Sequence, residues 1–124
     1  MKFNWTMPKS LQPFYQKEIE DYKSCFIAGC TLEAWRHLER AHIIGQPYSI
    51  EHTAIHAKML AFGIANRNIK EILGQIPRLL VGGIKSWAGT IPVGNTGRAN
   101  VPAWRPMPIP KDLQAIIRQA HAKL

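Results

Sequence analysis

Three closely spaced breaks, at Gly29–Thr31, Gly45–Ser49 and Asn66–Asn68, constrain this chain more than any other feature. Between them lie segments of helix length in which apolar residues recur every three to four positions, and links this short leave neighbouring helices little choice but to pack together. In the first segment Ser10 is placed to cap, Pro13 falls in the first turn where no amide hydrogen bond is lost, and Leu11, Phe14, Tyr15, Tyr22, Cys25 and Phe26 share a face. Thr31 is placed to cap a second helix, predicted over Leu32–Ile44, and Pro47 keeps the next link non-helical. Ser49 is placed to cap a third helix, Ile50 to about Asn66, which is apolar or small almost all round and is therefore expected at the centre of a bundle. Asn68 and Glu71 have the capping spacing for a fourth, with Ile69, Ile72, Leu73, Ile76 and Leu80 as its apolar stripe and Pro77 expected to kink or end it.

From about Gly82 to Pro110 glycine and proline become too dense for long regular elements, while Trp87, Ile91, Val93, Val101, Trp104, Met107 and Ile109 remain as apolar anchors. This span reads as an ordered arm wrapped over the helices. Lys111 to about Lys123 is a last amphipathic helix through Leu113, Ile116, Ile117 and Ala120. The fold class is all-α: a compact bundle of about four main helices plus a C-terminal helix, with an irregular arm at 82–110, in one domain over 1–124. At 124 residues, 46% hydrophobic and 19% charged, the chain is large enough to bury a core and too apolar to be disordered. No apolar run approaches the ~20 residues of a membrane span.

The two cysteines, Cys25 and Cys30, are too few for a disulfide scaffold and are expected as buried free thiols. The opening MKFNWTMPKS lacks the apolar stretch of a secretory signal, so a cytoplasmic address is expected. The formal charge of +8 raises nucleic acid as a partner. The basic residues are dispersed along the whole chain, however, with no recognised reading helix, zinc finger or RNA-binding aromatic motif, which argues against it and leaves an acidic protein partner or a homodimer open.

Polar residues on faces that should be apolar carry the chemistry, because a buried polar group without a partner costs about 1–3 kcal/mol. On the second helix Glu39 and His42 fall among the apolar set, three apart and hence neighbours, whereas Glu33, Arg36, His37 and Arg40 project to solvent. On the third, His52 and His56 lie one turn apart, away from Glu51 and Lys58. If the Gly45–Ser49 link makes these helices an antiparallel hairpin, His42 faces His52 and Glu39 faces His56. Glu18, central in the stripe of the first helix, can join the same cluster if that helix is antiparallel too. Glu39, His42, His52, His56 and Glu18 are therefore the candidate metal ligands. Imidazole and carboxylate suit zinc, iron or manganese, with copper also open and Met59 as a soft donor for it. The single Glu-x-x-His motif is half of what a di-iron centre normally has, so one or two ions are compatible. His37 and His121 read as surface residues.

Val93-Gly94-Asn95-Thr96-Gly97-Arg98 has the look of an anion-cradling loop without the Lys-Ser/Thr ending or the following helix, and reads as turn geometry in which Gly94 and Gly97 take positive φ. Set against a metal protein is a protein-interaction module in which the Glu/His cluster is a hydrogen-bond network and the proline-rich arm or basic surface binds a partner. Whether any reaction is catalysed stays open at this level.

Ala41-His42-Ile43-Ile44-Gly45-Gln46, then His52 and His56, then Gly-Asn-Thr-Gly-Arg at 94–98 and Pro-Met-Pro-Ile-Pro at 106–110 before Asp112-Leu113, resemble the A-H-I-x-G-Q, GNTGR and PMPIP-x-D-L signatures of a bacterial family of unknown function. The resemblance runs from about Ala34 to Leu113. It implies a small cytoplasmic protein, often encoded beside heavy-metal resistance genes, and brings no established activity. Where that family commonly has Ser after the Val of its second motif, this chain has Pro102.

Overall fold

The computed structural model describes residues 7–88, 94–102 and 105–122, with 81–88 described as backbone alone. Five α-helices and no strand occur among them: α1 (Gln12–Ala28), α2 (Thr31–Gly45), α3 (Ser49–Ala65), α4 (Ile69–Ala88) and α5 (Lys111–Ala122). The bundle with a C-terminal helix is thus the fold. None of the described helices is long and apolar enough to cross a membrane.

The breaks act largely through the backbone rather than through the predicted side-chain caps. Pro13 does sit in the first turn of α1, but the cap position is Leu11, and the Ser10 hydroxyl instead donates to the Ala120 carbonyl at 3.1 Å, tying the start of α1 to the end of α5. Cys30 and Tyr48, not Thr31 and Ser49, occupy the cap positions of α2 and α3, and neither makes a side-chain cap bond. Asn68 caps as its spacing predicts, its Oδ1 accepting from the Glu71 amide at 3.2 Å.

α2 rather than α3 is the hub. It packs against α1, α3 and α5, while α3 lies between α2 and α4. Leu38, Ile44, Ile55, Met59 and Leu113 are fully buried along these contacts, each large aliphatic side chain contributing about 1.5–3 kcal/mol by leaving water. At one end Trp35, Tyr22 and Phe26 surround Phe62 at ring-centroid distances of 4.9, 5.4 and 5.1 Å.

α4 departs from expectation twice. It continues through Pro77 to Ala88, so residues 82–88 of the predicted arm are helical. Pro77 removes one amide bond to the Leu73 carbonyl, but both residues are exposed, and water can take the freed acceptor. The predicted stripe also faces outward: Ile69, Leu73 and Leu80 are 64, 66 and 76% exposed, and the residues turned inward are Glu71 and Gln75. The rest of the arm is non-helical where it is described, at 94–102 and 105–110, with Ile109 packed on the core. Ile91, Val93 and Trp104 lie outside the described residues, as does the Trp87 side chain. The cysteines are free but not buried, Cys25 being half-exposed and Cys30 exposed.

A candidate three-histidine metal centre

The tight link after Gly45 returns the chain so that the last turn of α2 meets the first two turns of α3. His42 comes from the former, His52 and His56 from the latter, and all three are buried. Their rings stand at steep angles to one another with centroids 4.7–5.0 Å apart. The Nε2 atoms converge: His56 Nε2 is 3.1 Å from that of His42 and 3.1 Å from that of His52. A ligand atom of each lies within 4.8 Å of both others.

The outer nitrogens decide what those inner ones are. His42 Nδ1 is 2.7 Å from the Asn95 backbone carbonyl, which can only accept, so Nδ1 carries the proton. His56 Nδ1 is 2.6 Å from the Gln75 side-chain oxygen. That amide is oriented by its other end, because Gln75 Nε2 donates to the Gly97 carbonyl at 2.8 Å and to Glu71 Oε2 at 3.1 Å. His56 Nδ1 is therefore also the donor, and in a neutral imidazole the Nε2 of each ring is then a bare lone pair. Burial above all, and then the neighbouring His56 and His52 rings, hold His42 well below the usual imidazole range, so it is neutral. Two lone pairs facing each other at this distance repel unless a cation or a proton lies between them.

The loop at 94–98 closes the site, and its sequence explains how. Gly97 has φ +83°, and a Cβ on it would come within 2.5 Å of His42 Cδ2, so glycine is required both by the backbone and by the ring it lies against. Asn95 is itself fixed, its Nδ2 donating to the Pro102 and Arg105 carbonyls at 2.9 and 2.8 Å while its Oδ1 accepts from the Gly97 amide. Arg98 latches the far side. Its guanidinium pairs with Glu71 and, at 3.1 Å, with Glu39, and lies 3.8 Å above the Trp35 ring.

Two of the five candidate ligands are thus directed elsewhere. Glu39 is held by Arg98 and does not face His56. Glu18 is buried as its stripe position predicts, but its oxygens accept from His37 Nδ1 at 2.8 Å and Arg40 Nε at 2.9 Å, two side chains of α2 other than His42. His37 and Arg40, read as solvent-facing, fold over α1 to reach it, and Arg40 also pairs with Asp112 at the start of α5. His121 is exposed as expected, and Met59 is fully buried with its sulfur 3.5 Å from Gln75 Nε2. Residues the sequence reading did not assign to the site are Gln75, Glu71, Asn95 and Arg98. The spacing of Glu71 and Gln75, one turn apart, is a signal of the same kind as that of His52 and His56, but the stronger apolar stripe beside it masks it.

Comparison with known families bears on the same residues. Residues 9–117 match the model of the family described as protein of unknown function (DUF3703). The chain belongs to that family. The matched span of this DUF3703 protein contains every side chain described above from Ser10 to Asp112. No curated protein and no solved structure matches the chain.

Proposed function

We propose that this protein binds one transition-metal ion through the Nε2 atoms of His42, His52 and His56. The observation that carries the reading is the pair of outer contacts, His42 Nδ1 to the Asn95 carbonyl and His56 Nδ1 to the Gln75 amide oxygen, which turn the unprotonated Nε2 atoms of these two rings toward each other at 3.1 Å, with His52 Nε2 3.1 Å from that of His56. Metal-bound histidines characteristically donate their second ring nitrogen in this way, which sets both tautomer and ring orientation. The spacing fits as well: bonds of about 2.0–2.1 Å to a tetrahedral zinc ion separate two nitrogens by roughly 3.3 Å. Three neutral imidazoles suit zinc, with iron or copper as alternatives, and manganese becomes a weaker candidate once the carboxylates are spoken for. In this reading Glu39 and Glu18 are not ligands. Glu39 belongs to the latch over the loop, and Glu18 to a separate ion-pair cluster.

The deep burial of the three rings under the 94–98 loop favours retention or sensing of the ion over catalysis, which needs an open position beside a substrate pocket. A role in metal stress agrees with the resemblance to a family often encoded beside heavy-metal resistance genes. Protein purified without a histidine tag, stripped with chelator and reconstituted, is expected to take up one equivalent of metal with three nitrogen donors by X-ray absorption, and His42→Ala to lose it. A wild type that stays metal-free after reconstitution sinks the proposal and leaves the imidazoles as a hydrogen-bond network inside an interaction module.

A further inference from the structure

We propose that Cys25 and Cys30 are a site of reversible oxidation, closing an intramolecular disulfide at the tip of the α1–α2 hairpin. α1 ends in a double hydrogen-bonded turn: Gly29 adopts φ +79°, its amide donates to the Phe26 carbonyl at 3.2 Å, and the Cys30 amide donates to the Cys25 carbonyl at 2.9 Å. In this closure the side chains of the residue three back from the helix end and of the one just beyond the glycine lie on the same side and frequently pack together. Those two positions are Cys25 and Cys30. The amide bond between them also limits their Cα separation to roughly 6.8 Å at most, within the reach of a disulfide. Cys30 is exposed and Cys25 is half-buried against the core, so one sulfur meets an oxidant first and the other waits beside it. Partial burial, and then the Cys30 sulfur, raise the Cys25 thiol above its usual range, in keeping with a resolving rather than an attacking role.

With a small disulfide such as glutathione disulfide as oxidant, the Cys30 thiolate attacks one sulfur and expels one glutathione thiolate. Cys25 then loses its proton to water and attacks the Cys30 sulfur of the mixed disulfide, expelling the second glutathione. Two protein thiols give up two electrons and two protons, and the oxidant leaves as two thiols. The inference does not rest on the metal reading, since Cys30 precedes α2 and His42 lies in its last turn.

The test is mass spectrometry of the full chain in glutathione redox buffers, with alkylation of remaining thiols. The wild type is expected to lose two hydrogens and both alkylation sites, reversibly with dithiothreitol, while Cys25→Ser stops at a glutathione adduct on Cys30. Because the turn preorganises the pair, the folded protein should close the bond at an oxidant ratio at least tenfold lower than the same chain in urea. Equal closure in urea overturns the proposal, as does a wild type that accumulates the glutathione adduct or links to a second chain.

Discussion

Two polar clusters touch α2, and they differ in whether the protein itself supplies a cation to the groups that face one another. In the first, Glu18 accepts from His37 and Arg40, Arg40 pairs onward with Asp112, and Lys17 sits on Asp21. Every acid there already has a cation that the protein itself supplies, and the cluster is open to water at its edges, with the Arg40 and Asp112 side chains 22 and 60% exposed. In the second, His42, His52 and His56 turn their Nε2 atoms together in a buried site, and the nearest acids, Glu39 and Glu71, are occupied by Arg98. Glu18, Asp21 and His37 do lie close enough together to be counted as a metal-holding group. The difference teaches that proximity of ligand atoms is a weak criterion. What separates the clusters is whether the cation is already there.

The largest effect expected is therefore from removing a cation at one cluster only. If the three-histidine centre binds zinc with the ion at about a thousand times its dissociation constant, binding stabilises the fold by ~4 kcal/mol. That corresponds to a fall in Tm of about 10 °C or more on adding a strong chelator, measured by calorimetry. His42→Ala should lie near the chelated wild type and be indifferent to chelator. Glu18→Gln should keep the full chelator-dependent shift. If it is the Glu18 variant that loses the response, the clusters have been assigned the wrong way round.

Next in size is Gly97→Ala. The new methyl meets the His42 ring, and the positive φ is strained for alanine, so a loss of about 2 kcal/mol or more is expected together with weakened metal binding. Denaturant titration with and without metal separates the two contributions, and an unchanged midpoint would show that the loop does not lie on the ring. Gln75→Leu follows, because it removes the acceptor of His56 Nδ1 while roughly keeping volume: metal affinity should drop about 10- to 100-fold by competition with a chromophoric chelator. An unchanged affinity would mean that the orientation of His56 does not depend on this contact.

The three histidines were legible in the sequence because two simple periodicities, a short helical hairpin and an i, i+4 pair, are enough to bring them together. The carboxylates lie apart from the imidazoles for a physical reason. A buried or half-buried acid takes the nearest base, and Arg40, His37 and Arg98 have side chains long enough to fold back onto Glu18 and Glu39 from positions that project toward solvent or lie in a loop. On α4 periodicity locates an apolar stripe without saying which face is buried. Glu71 and Gln75 are turned inward and satisfied by Arg98, the Ala99 amide and the Gly97 carbonyl, groups from a loop some two dozen residues away. Contacts of that range have no local signature. The continuation of α4 beyond Pro77 is a milder case, since the penalty for proline depends on whether water reaches the freed carbonyl.

The smallest expected effect sharpens the comparison from the side of the balanced cluster. Hydrogen bonding to Arg40 holds the Asp112 carboxyl below its ordinary range. A depressed carboxyl contributes stability that is fully present above its unfolded value, about pH 4, and is lost as pH falls through the lower folded value. Asp112 is mostly exposed and its pair with Arg40 is screened by solvent, so the contribution should be no more than about 0.5 kcal/mol. Asp112→Asn should therefore lower stability slightly at neutral pH, converge with the wild type once the pH lies below the folded value of the carboxyl, and leave metal content untouched, as followed by urea midpoints from neutral pH downward. Were the variant instead to lose metal, Arg40 and Glu18 would have to be coupled to the imidazoles through α2, and the two clusters would be one.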